Sequence, residues 1–115
     1  MIPLNIKRIG DMLWEMDKIF ISNTPAVYFI YDINKELIYI GQTKHLLKRT
    51  VDHFRNDMWF KLFARYMSYR EMIIEDLYRE EQTLIKEFKP KYNYERYCSV
   101  EEEDMKNAIR NRPII

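Results

Sequence analysis

The sequence predicts an α+β domain in which an antiparallel hairpin packs with amphipathic helices. Three observations carry this. Two β-rich apolar runs, Ala26-Val27-Tyr28-Phe29-Ile30-Tyr31 and Glu36-Leu37-Ile38-Tyr39-Ile40, flank a turn-forming Asp32-Ile33-Asn34-Lys35. After Gly41 the apolar spacing switches to a period near 3.6. A second, longer stripe of that period runs up to Pro90.

Taken in order, residues 11–20 read as a first helix, with Met12, Leu13, Met16, Ile19 and Phe20 on one face and Asp11 as its cap. Asn23-Thr24-Pro25 breaks the chain before the hairpin. Residues 44–54 read as a helix that buries Leu46, Leu47, Thr50, Val51 and Phe54. Between Trp59 and Met67 the pattern suits either period; a third strand is read at residues 61–66. Ser68-Tyr69-Arg70-Glu71 has the form of a capping box and opens a helix to about Phe88, where Pro90 stops it. Ser99-Val100-Glu101-Glu102 repeats that form and suggests a last helix at about 100–111.

All 115 residues are read as one domain. The 47% apolar and 15% aromatic content is that of a globular chain. One cysteine, Cys98, rules out an internal disulfide framework and a cysteine-built zinc site, and fits a reducing compartment. The first eight residues lack the apolar core of a signal peptide, and no run of about 18 apolar residues exists to span a membrane, so a cytoplasmic protein is expected. There are two glycines, Gly10 and Gly41, and a backbone requirement is expected at Gly41. Net charge is +1, yet seven basic residues and only two acids lie between Lys44 and Arg70. Lys44, Lys48, Arg55, Lys61 and Arg65 in that stretch could form a face that meets nucleic-acid phosphate, or simply a solvated helix surface.

The polar residues that depart from this bland plan are few. Arg49 and His53 are four apart and share a helix face. Glu81 falls within the apolar stripe, four after Leu77 and four before Ile85, whereas Glu80 points aside. A carboxylate there is costly unless it is paired, metal-bound or at a cleft edge. Phosphodiester hydrolysis needs an activated water, a cation against developing charge and a grip on the phosphate. Mg²⁺ takes oxygen ligands and needs only one or two carboxylates, so Glu81 could hold it alone. Arg49 offers the planar fork that matches phosphate oxygens. Tyr28 and Tyr39 project from neighbouring strands, and one of them, beside a cation, could serve as general base. Singly, each residue also has a structural reading: half-buried strand aromatics, a surface arginine, a core-edge histidine, an edge ion pair, turn chemistry at Asn93.

Together and in this order, the residues resemble the GIY-YIG endonuclease family. The first motif stands as Ala26-Val27-Tyr28 and the second as Tyr39-Ile40-Gly41. The helix carrying Arg49 and His53 follows, then the Glu81 segment, then Lys89-Pro90-Lys91-Tyr92-Asn93 as the closing element. The match covers about residues 25–94. It implies a central three-stranded antiparallel sheet flanked by helices. It implies DNA cleavage by water with one Mg²⁺ or Mn²⁺ on Glu81, leaving 5′-phosphate and 3′-hydroxyl ends. It assigns Tyr28, Tyr39, Arg49, His53 and Glu81 to the site, with Tyr28 the favoured base, and Gly41 and Asn93 to its support. Two positions depart from the family pattern: Ala26 replaces a glycine, and Gln42 stands where the excision-repair branch resembles a lysine.

Two other functions fit parts of the sequence. A nucleic-acid-binding module that keeps the fold without cutting would explain Gln42 and the near-neutral charge. A protein-interaction domain would use the acidic run Glu101 to Asp104. Phosphate contacts alone carry no base sequence. The expectation is therefore weak sequence preference, structure-specific cutting, or a partner protein that supplies targeting, with the oligomeric state left open.

Overall fold

The computed structural model describes residues 5–18 and 24–95. In chain order the elements are β1 (Lys7–Arg8), α1 (Ile9–Lys18), β2 (Ala26–Tyr31), β3 (Leu37–Thr43), α2 (Leu46–Asn56), α3 (Met58–Phe63), β4 (Tyr66–Glu71), α4 (Ile74–Phe88) and α5 (Lys91–Glu95). The sheet runs β1-β4-β2-β3 and every pairing is antiparallel. The expected three strands are thus present, with a two-residue fourth, β1, added beside β4.

β2 is central, and all six of its residues are buried. A strand covered on both faces reads as a continuous apolar run rather than an alternation, which is what this segment shows. Its residues divide between two cores. Ala26, Tyr28 and Ile30 pack with Met12, Leu46, Trp59 and Phe60 from α1, α2 and α3. Val27, Phe29 and Tyr31 pack with Leu77 and Leu84 from α4. The hairpin turn is held by Asp32, whose Oδ1 accepts the Asn34 and Glu36 backbone N–H groups at 2.9 and 3.0 Å.

Three expectations are corrected. The third strand is not at residues 61–66: residues 58–63 coil into α3, and the strand lies at 66–71. Trp59 and Phe60 both bury against the first core from α3. Ser68 and Glu71 form no capping box, because both lie in β4. The buried Ser68 hydroxyl instead meets the Tyr31 hydroxyl at 2.9 Å. α4 begins at Ile74 with no side-chain cap, and Glu75 and Asp76 in its first turn suit the positive end of the helix. Asp11 is not a cap but a first-turn residue, 3.3 Å from the Arg8 Nε.

Smaller shifts affect the ends of elements. β3 continues past Ile40 to Thr43, so α2 starts at Leu46 rather than residue 44. α4 ends at Phe88, and Lys89 adopts the left-handed conformation that closes a helix. A short α5 then follows Pro90. The expected helix at 100–111, and the end of the first helix at residues 19–20, lie outside the described residues.

Candidate active site

The site starts from a close approach between neighbouring strands. Tyr28 of β2 is paired with Gly41 of β3. A Cβ at Gly41 would lie 2.3 Å from both Cζ and Oη of Tyr28. The glycine has no positive φ, so its role is space rather than backbone freedom. This corrects the expectation of a backbone requirement: the absent side chain lets the Tyr28 ring lie across the strand. Tyr39, two residues earlier on β3, shares that face, and its ring centroid is 6.0 Å from that of Tyr28.

α2 crosses this face and presents Arg49 and His53 one turn apart. His53 is 1% exposed. Its Nε2 lies 2.6 Å from the Tyr28 hydroxyl. Its Nδ1 lies 2.5 Å from Oδ2 of Asp57. The imidazole is stacked on Phe60 at 5.2 Å, with Tyr39 and Trp59 edge-on at 5.3 and 5.5 Å. The Arg49 guanidinium reaches both tyrosine hydroxyls.

Burial sets the protonation states. It drives the Tyr28 hydroxyl well above its ordinary range; Tyr39 adds to that, and the positive charge of Arg49 offsets only part of it. Tyr28 is therefore a neutral phenol, and the expectation that a nearby cation frees its proton does not hold in this chain alone. Burial also lowers His53 to about 4, helped by Arg49 and opposed by Asp57 and Asp52. At neutral pH the imidazole is uncharged, so one ring nitrogen carries a proton and the other accepts.

Glu81 comes from the opposite layer. α4 packs on the other face of the sheet through Leu77 and Leu84, and Glu81 lies half-buried between them. Its Oε1 accepts from Nε2 of Gln82 at 3.1 Å and from Nε2 of Gln42 at 3.5 Å. Gln42 follows Gly41 directly, and side chains alternate across a strand. The edge strand β3 therefore carries Tyr39 and the Gly41 opening on one face and the Gln42 contact to Glu81 on the other. Among the described residues no three His, Cys, Asp or Glu side chains gather as a metal cage. A half-buried carboxylate offers oxygen ligands to an ion that keeps much of its water, as Mg²⁺ does. Glu80, as expected, turns aside, and it pairs with Arg70 of β4.

Asn93 on α5 has a structural place. Its Oδ1 accepts the Ile40 N–H at 2.8 Å, and its Nδ2 donates to the Ile40 carbonyl at 2.7 Å. The amide acts as one rung of a missing strand along β3. Its neighbour Tyr92 stacks on Trp59 and Phe63 at 5.2 and 5.6 Å, which anchors α5.

Of the basic residues expected at DNA, Lys44, Lys48, Arg55 and Lys61 are exposed. Arg65 differs. It is half-buried, donates from Nη1 to the Ala64 carbonyl, and its backbone N–H holds the Tyr31 carbonyl. Tyr31 is three strand residues from Tyr28, roughly 10 Å away. Ala26, in place of a glycine, is fully buried in β2 without disturbing the register. Sequence reasoning missed Asp57 and the role of Gln42. The four-residue spacing from His53 to Asp57 is the same signal that joined Arg49 to His53.

A family profile described as the UvrC-like GIY-YIG domain matches residues 24–94. The UvrABC system protein C of Cytophaga hutchinsonii is 38% identical over 81 residues, covering 64% of this chain and 14% of its own length. That of Helicobacter acinonychis is 32% identical over 100 residues, covering 74% of this chain and 16% of its own length. The chain thus spans a small part of the curated relatives it matches. Among solved structures, the GIY-YIG N-terminal endonuclease domain of UvrC from Thermotoga maritima, a point mutant bound to its catalytic divalent cation, superposes with a TM-score of 0.54 at 25% identity. The overlap covers 69% of this chain and 94% of that one. The same domain with magnesium bound gives a TM-score of 0.54 at 24% identity, a likeness of fold.

Proposed function

This chain belongs to the UvrC-like GIY-YIG family, and from that premise we propose that it is a metal-dependent DNA endonuclease. The observation that carries the reading is the Tyr28–His53 contact at 2.6 Å, set over Gly41 with Arg49 beside it. A proton donor already aligned on a neutral, buried base is arranged for proton transfer rather than for packing alone.

In this reading Arg49 grips the scissile phosphate. Tyr28 takes the proton of the attacking water. Tyr39 holds Arg49 and walls the pocket. Glu81 holds a divalent cation, Mg²⁺ or Mn²⁺, which supplies positive charge against the phosphate and the leaving oxygen. The divalent cation bound in the Thermotoga domain supports a divalent metal here. Gly41 makes room for the Tyr28 ring, and Asn93 holds β3 in place. Lys44, Lys48, Arg55 and Lys61 contact phosphates along the duplex, while Arg65 braces the end of β2. The products carry 5′-phosphate and 3′-hydroxyl ends. Phosphate contacts select no sequence, so targeting comes from DNA structure or from a partner protein.

Nicking of supercoiled plasmid tests this. With Mg²⁺ or Mn²⁺ the parent relaxes the plasmid, EDTA stops it, and Glu81→Ala loses at least ~100-fold in rate while keeping its fold. A Glu81→Ala variant that cuts like the parent would overturn the metal assignment. One observation favours a second reading, a binding module that does not cut: the Gln42 amide lies on Oε1 of Glu81. That reading predicts salt-sensitive DNA retention with no metal-dependent products.

A further inference from the structure

Asp57 occupies the junction between α2 and α3. It is the N-cap of α3, where an aspartate ordinarily turns its carboxylate onto the exposed backbone N–H groups of the first turn. Here it makes no such bond. Its carboxylate turns back one helical turn instead and meets Nδ1 of His53 at 2.5 Å. The backbone supports that turn, because the Asp57 N–H donates to the His53 carbonyl at 3.0 Å. A local cap worth about 1 kcal/mol has been given up for a contact with a buried ring.

A carboxylate only accepts, so the proton of a neutral imidazole must sit on Nδ1. Nε2 then carries the lone pair, and the Tyr28 hydroxyl at 2.6 Å is the donor. We propose that Asp57 is a positioning residue that fixes His53 as its Nδ1–H tautomer and so sets the direction in which the Tyr28 proton moves. The rate consequence rests on the nuclease reading; the tautomer does not.

The step balances. The water oxygen bonds to phosphorus as its proton passes to the Tyr28 oxygen. The proton of Tyr28 passes to Nε2 of His53. The bond from phosphorus to the 3′ oxygen breaks, and that oxygen leaves with the electron pair and is protonated by solvent. The imidazolium so formed keeps its Nδ1 proton against the Asp57 carboxylate, the arrangement by which an aspartate orients and steadies a catalytic histidine on other folds. The groups that face His53 are Arg49 and Asp52 on its own helix, Asp57 at the junction, Tyr28 on β2 and Tyr39 on β3, with the uncharged Trp59 and Phe60 from α3. Arg49 is the group that opposes a charged imidazole, and a phosphate bound at Arg49 would relieve that opposition.

Imidazole ¹⁵N NMR of the whole chain reads the tautomer directly. His45 is the only other histidine and is assigned by His45→Gln. The parent should show a protonated Nδ1 and a bare Nε2 at neutral pH. Asp57→Ala should move population to the Nε2–H form and lower kcat for plasmid nicking by about 10-fold or more, with KM within about 2-fold. Asp57→Glu should recover part of both. A parent with its proton on Nε2 overturns the proposal, and so does a folded Asp57→Ala protein that keeps the parental tautomer and rate. If Asp57→Ala does not fold, the parental spectrum decides alone. If the parent cuts nothing, the tautomer shift still decides this proposal, while the nuclease reading fails separately.

Discussion

The two faces of β3 do opposite things with polar groups. On the α2 face, Tyr28, Tyr39, Arg49 and His53 lie together among aromatic rings, and burial favours the uncharged forms of Tyr28 and His53. On the α4 face, Glu81 is half-buried and accepts from the Gln82 and Gln42 side-chain amides. The first is the more buried setting, in which a proton can be passed along the fixed line from Tyr28 to His53 because each ring is held by its neighbours. The second is more open to solvent, where the proposed cation would keep much of its water. In the proposed reading, proton handling and charge neutralisation fall to different layers of the molecule, on either side of a single edge strand.

The division can be broken first through Tyr28→Phe. Removing the hydroxyl from the more buried face should lower the nicking rate by about 10³-fold while the metal concentration for half-maximal rate stays as in the parent. A shifted metal midpoint would mean that the two faces are not separate. The pH dependence of stability comes next. Burial holds His53 at about 4 rather than its ordinary value. Between about pH 6.5 and 4 the unfolded chain binds a proton there and the folded chain does not, so stability falls as pH drops through that window. The loss is on the order of 3 kcal/mol. Urea midpoints at pH 7 and pH 4.5 should therefore fall further for the parent than for His53→Gln, which cannot titrate; equal losses would show that the imidazole is not desolvated. The smallest expected effect sits at the seam. Gly41→Ala places a methyl group against the Tyr28 ring and should cost about 1–3 kcal/mol in thermal unfolding, along with the Tyr28–His53 alignment seen in the imidazole spectrum. An unperturbed spectrum would mean that the ring has room to spare.

Much of this was legible along the chain, and the failures have a common cause. β2 was read to the residue because a strand buried on both faces is marked by its own composition. Arg49 and His53 were paired because a helix turn is local. The third strand was misplaced because a run of rings from Trp59 to Phe63 suits either period, and only the position of β2 decides which residues pair with it. The apparent capping box at Ser68 failed for the same reason: its hydroxyl answers to Tyr31, 37 residues away. The space above Gly41 was missed because it is defined by a ring on another strand. Glu81 was legible as an anomaly in an apolar stripe, but its link to Gln42 was not.

The Asn93 amide has one more consequence. The outer edge of β3 would otherwise offer the Ile40 N–H and carbonyl to any passing strand, and unpaired edges are where sheets recruit further chains. One side chain from α5 covers that pair of groups. A fragment trimmed before Asn93 would keep every catalytic candidate, yet it would expose a template for self-association beside the Tyr28 pocket. For anyone shortening this protein, Asn93 marks the point beyond which the Ile40 edge of β3 is left uncovered.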